Sequence, residues 1–113
     1  MALLAMSFPI AAGQTDRWKK LIKELKGPRS KAYKASREKL GIRERVFLQK
    51  TPAGDVVVVT IRGKNPPAAF GEFIKGKDAF TKWFLGEISV IHGLDFSAGP
   101  PGPLPELMLD SNA

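Results

Sequence analysis

Trp83 and His92 are the residues of this chain best suited to chemistry, and both fall on one predicted helix. The only histidine titrates near neutrality, so it can serve as a general base or a hydrogen-bond partner. The indole offers a large apolar wall. The rest of the inventory is more useful for what it excludes. There is no cysteine, which removes disulfides, thiolate metal sites and cysteine nucleophiles, and fits a cytoplasmic location. The carboxylates are scattered, with no metal-ligand spacing, no phosphate loop, no dinucleotide fingerprint and no nucleophile elbow.

The spacing of the pair sets a geometric condition. Nine residues at about 100° each leave half a turn, so a straight helix puts Trp83 and His92 on opposite faces. They share a cleft only if the helix distorts, with Gly86 the candidate point. Each also has a structural reading. His92 precedes Gly93, so it can favour the negative end of the helix dipole and donate to free carbonyls. Trp83 stands at helical spacing among Phe80, Phe84 and Ile88, where aromatics pack.

The elements that must position these residues follow in the order β-α-β-β-α-β. Residues 2–9 read as a strand. The opening apolar run has no basic residue ahead of it and is too short to span a bilayer, so a signal peptide is the poorer reading. Trp18, Leu21, Ile22 and Leu25 form a helical stripe, with Gln14 or Thr15 near the cap and Asp16 in the first turn. Gly27-Pro28 interrupts that helix, and Pro28 can open a second segment to about Leu40, with Ala32, Tyr33, Ser36 and Leu40 inward. Arg43 to Lys50 alternates, with Val46 and Leu48 on one face and Arg45, Phe47 and Gln49 on the other. A turn at Pro52 and Gly54-Asp55 leads to Val56–Arg62, whose four valines predict a central strand covered on both faces. Asn65 and Asp78 are helix caps, and Gly93 ends the last long helix. Residues 98–105 are rich in proline and predict an extended arm, and 106–110 a short final strand.

That order predicts an α+β fold: a ferredoxin-like βαββαβ unit with a four-stranded antiparallel sheet and helices on one face. Residues 1–113 form one domain. With only two helical regions, both on one face, to cover a doubly apolar central strand, the second sheet face is expected to meet another copy, giving a homodimer through sheet faces.

Charge is unevenly distributed. Thirteen of the eighteen Lys and Arg residues lie between Arg17 and Lys50, against three acidic residues there. Such a region attracts nucleic acid, anionic lipid or an acidic ligand, or is simply a solvated helix face. Sheet-based RNA binding needs exposed aromatics for stacking, and Phe47 stands alone, so nucleic acid is the weaker partner class.

Lys77 to Gly93, with its Ala79-Phe80-x-x-Trp83 element followed by His92, resembles the second helix of the dimeric α+β barrel superfamily. That group includes antibiotic-biosynthesis-type and haem-degrading monooxygenases. The chain is also similar to a group of small uncharacterised bacterial proteins sharing Arg17-Trp18, Phe47-Leu48-Gln49, Trp83-Phe84 and Ile91-His92-Gly93. The resemblance implies a dimer whose sheets meet as a barrel, with a small apolar substrate between sheet and helices. In the haem-degrading members the histidine matching His92 ligates iron and the tryptophan matching Trp83 packs on the porphyrin. Their first-strand asparagine falls at Ser7.

The functional expectation is a small apolar or anionic ligand, with Trp83 and Phe47 as walls and His92, Ser7 and Gln49 as polar contacts. A cofactor-independent monooxygenase acting on a phenolic molecule, with His92 as base, is the enzymatic form. A haem protein and a non-enzymatic binding or assembly module are the alternatives. No metal ion and no membrane partner are expected.

Overall fold

Period-two alternation decides which side chains each strand buries. The computed structural model describes residues 2–100 and 102–112. Strand β1 (Ala2–Pro9) pairs antiparallel with β3 (Gly54–Gly63), setting Leu4, Met6 and Phe8 opposite Ile61, Val59 and Val57. On the other side of β3, β2 (Ile42–Thr51) sets Glu44, Val46 and Leu48 opposite the same three residues. The sheet order is β1-β3-β2, with the valine-rich strand in the centre.

All four helices lie on the face that carries these residues. Helix α1 (Thr15–Lys26) buries Trp18, Leu21 and Leu25. Helix α2 (Ser30–Lys39) follows the Gly27-Pro28 break and begins two residues after Pro28. Within its expected inward stripe Ala32 is exposed, while Arg37 is buried. Helices α3 (Pro66–Ile74) and α4 (Ala79–His92) add Phe70, Phe73, Ile74, Phe84 and Ile91 to the core. A 3-10 turn, Phe96–Ala98, brings Phe96 in from beyond Gly93. No helix among the described residues is long and apolar enough to cross a membrane.

The caps explain where the helices start and stop. Asn65 Oδ1 accepts from Ala68 N–H at 3.2 Å, and Asp78 Oδ2 from Thr81 N–H at 3.0 Å. Gly93, at φ 62°, takes the left-handed conformation that ends α4. Thr15 behaves differently from a cap: its hydroxyl donates to Asp55 Oδ2 at 2.8 Å, tying the start of α1 to the start of β3.

One expectation needs correction. The described residues contain three strands, not four, because residues 103–110 form no ladder. Pro103 and Pro105 lack the N–H that pairing beside β1 would need. Residues 102–105 instead line a groove with Met6 to Pro9, Phe70 and Leu94, and 105–110 are exposed. Within one chain the helices cover one face of the central strand, and the face expected to meet a second copy is open. On that open face, Leu3, Ala5, Ser7, Arg43, Arg45, Phe47, Gln49 and Arg62 are exposed.

Candidate functional site

His92 sits in the last turn of α4, where the helix meets the end of β1. Its Nδ1 lies 2.9 Å from Pro9 O, and because a carbonyl only accepts, Nδ1 carries the proton. One residue away, Ala11 N–H donates to Ile91 O at 2.8 Å, fastening the same junction. The imidazole packs against Phe8, ring centroids 5.4 Å apart, and Phe8 meets Phe96 edge-on at 6.0 Å. The residue is 8% exposed. Burial pushes its pKa below the ordinary value, and the bond to Pro9 offsets part of that shift. The neutral ring therefore presents Nε2 as an acceptor.

His92 lines a chamber of about 70 Å³ between the sheet and the helices, with Trp18, Phe8, Ile88 and Phe96 among its walls. Arg37 and Glu44 line it as well. Glu44 stands opposite Ile61 and Phe8 opposite Val57, so the two polar groups are four residues apart along β3.

The second polar group joins three ionisable side chains, Tyr33, Arg37 and Glu44. Glu44 Oε1 accepts from Tyr33 Oη at 2.6 Å and from Arg37 Nε at 3.1 Å, and Arg37 Nη1 donates to Ser36 Oγ at 3.0 Å. The guanidinium carbon lies 4.5 Å from the Phe73 ring centroid, 4.8 Å from Tyr33 and 5.0 Å from Phe84. Burial, then the Glu44 charge, raises the Tyr33 pKa. The sequence reading missed this cluster. Its signal was a Tyr33–Arg37 pair at i, i+4 facing a carboxylate that alternates with Val46 and Leu48.

The five expected site residues are not brought together. Trp83 is half-buried under the Arg29 guanidinium, whose central carbon lies 3.9 Å from its ring centroid, and it packs on Phe80 at 5.9 Å. It does not line the chamber, since α4 runs unbroken through Gly86 and keeps the half-turn between Trp83 and His92. Ser7 and Phe47 flank Val58 on the open sheet face, and Gln49 stands opposite Val56 there. The sheet separates these three from His92. Their even-numbered neighbours, Phe8 and Leu48, point inward instead.

This arrangement does not suit haem: the chamber is far smaller than a porphyrin, Trp83 lies outside it, and Ser7 faces away. Among the described residues no group of three His, Cys, Asp or Glu side chains could hold a metal ion. Comparison with known protein families, curated proteins and solved structures finds no match to this chain.

Proposed function

We propose that the protein binds a small, largely apolar molecule of the phenol class in the chamber between sheet and helices, its O–H directed at His92 Nε2. The supporting observation is the division of the imidazole: Nδ1 is committed to Pro9 O, which leaves Nε2 for a chamber with mainly apolar walls. Apolar walls with a few oriented polar groups are the usual make-up of a small-molecule site. Because burial favours the neutral ring, Nε2 accepts the hydrogen bond or takes the phenolic proton, giving phenolate and imidazolium. A phenolate is the electron-rich form that reacts with dioxygen, so cofactor-independent monooxygenation is the enzymatic version of this reading: the phenol supplies all four electrons, one oxygen atom replaces a ring hydrogen to give a quinone, and the other leaves as water. The chamber is smaller than the ~150 Å³ cavity that admits benzene, so a wall must move for entry. Phe96, on its 3-10 turn beyond the long helices, is the wall held by the least regular structure.

Trp18 emission reports on the site. Phenol is expected to change it saturably and to bind more tightly than toluene, with His92→Phe erasing that difference and Phe96→Ala strengthening both. No saturable change with either compound up to millimolar concentration would overturn the reading, and haemin is expected to give no Soret shift.

The same reading has the chain working as a homodimer through the open sheet face. Val57 is 2% exposed beneath the helices, whereas Val58 lies on the open face near Arg45, so Val58→Lys is the informative substitution. Burying that ammonium among like charges, without a carboxylate partner, should shift a micromolar dimer to monomer in light scattering.

A further inference from the structure

The carboxyl-terminal segment is out of keeping with the rest of the surface. Leu107, Met108 and Leu109 are 72%, 82% and 86% exposed and are flanked by Glu106 and Asp110. In an extended chain Glu106, Met108 and Asp110 share one side and the two leucines the other.

The β2 edge of the sheet carries the matching pattern. It is a free edge, since the order is β1-β3-β2. Its open-face side presents Arg43, Arg45 and Phe47, with Arg62 directly opposite Arg43. No carboxylate stands on that face, and none of these three arginines is in an ion pair among the described residues. Its helix-face side presents Val46, 36% exposed, beside Leu48. A strand added there would set the carboxylates and Met108 beside the arginines and Phe47, and the leucines beside Val46 and Leu48.

We propose that residues 106–110 add as a fourth strand to the β2 edge of a second copy, in a reciprocal exchange that closes a two-fold dimer. This rests on the self-association proposed above and adds where the arm goes. The chain's own edges fit poorly. The β1 edge is lined by the proline-bearing residues 102–105 and offers Leu3, Ala5 and Ser7; among its described residues β1 carries no cation for Glu106 or Asp110, and Arg62 stands one strand further in. Its own β2 edge lies two strands, roughly 10 Å, away on the far side of the sheet. Area favours exchange too. Three strands of about eight residues present only about 400 Å² of open face. Three buried apolar side chains at roughly 100 Å² each bring a partner's share toward the ~800 Å² of a stable interface.

Two charge-reversed chains test the exchange by sedimentation: one carries Glu106→Lys with Asp110→Lys, the other Arg43→Glu with Arg45→Glu. Each alone is expected to dimerise about tenfold or more weakly than the native chain. Their mixture is expected to dimerise as the native chain does, because both exchanged contacts are then complementary. Docking of the arm within its own chain would give no rescue on mixing and would overturn the proposal. A native dimer unchanged by either reversal would overturn the exchange and leave the sheet-face dimer standing; a native monomer at 100 micromolar would remove both. If the native monomer instead bound single-stranded RNA through Arg43 and Arg45, the occupant would be nucleic acid, which also overturns the proposal. As the chain has no cysteine, a disulfide assay covers the case of a misfolded reversal. Met108→Cys mixed with Arg45→Cys should cross-link, and Met108→Cys mixed with the exposed helix control Lys20→Cys should not. Equal cross-linking, or none, counts against it.

Discussion

At the scale of single residues, His92 and Arg37 are both buried polar groups, and each makes a distinct prediction. His92 has a folded pKa below 6.5 because burial disfavours its charged form. The unfolded chain therefore binds the proton first as pH falls, so stability is full above 6.5 and declines below it. The melting temperature should drop between pH 7.5 and 5.5, and His92→Gln, which keeps a donor for Pro9 O, should flatten that slope. Arg37 and Glu44 have side chains only 8% and 11% exposed. Removing one partner strands a buried charge, so Arg37→Met should lose about 3–5 kcal/mol, while Arg37→Met with Glu44→Leu should lose less. Urea unfolding of the two variants beside the native chain measures the difference. The sequence announced His92 by its type and its place before a helix-ending glycine. Arg37 was hidden because arginine on a basic helix reads as solvent-facing until the strand that carries Glu44 is placed against it.

At the scale of elements, the regular pieces were legible because their signals are local. Thr-Pro-Ala-Gly-Asp bounds the hairpin, Asn65 and Asp78 cap their helices through their own side chains, and β3 is central as its valines require. The close approach between α3 and α4 was not legible. A Cβ on Gly76 would stand 2.7 Å from Thr81 Cγ2 and 3.2 Å from Phe73 O, and Thr81 is itself buried and bonded to Asp78. Gly76→Ala should therefore lose about 1–3 kcal/mol as overpacking, seen as a lower melting temperature with unchanged secondary structure. The fourth strand failed at this scale as well. Alternation in Glu106–Asp110 predicts a strand, but pairing needs a neighbour with free N–H groups, and the prolines before it remove those from the approach to β1.

At the scale of the whole molecule, the sheet is a partition. It sends Ser7, Phe47 and Gln49 to one side and His92 to the other, so a site drawn from residue types alone merges two separate surfaces. One side holds the chamber, and the other holds an arginine-bearing surface with no carboxylate. Face assignment depends on register, which only the pairing of β1, β3 and β2 supplies. The junction between His92 and Pro9 has a consequence for how the chain is made. Strand β1 can pair with β3 along its whole length once Gly63 has emerged from the ribosome, but its Pro9–Ala11 end meets α4 only when residues 91 and 92 follow. For that interval the newborn chain holds β1 by β3 and α3, and translation of α4 completes the clasp.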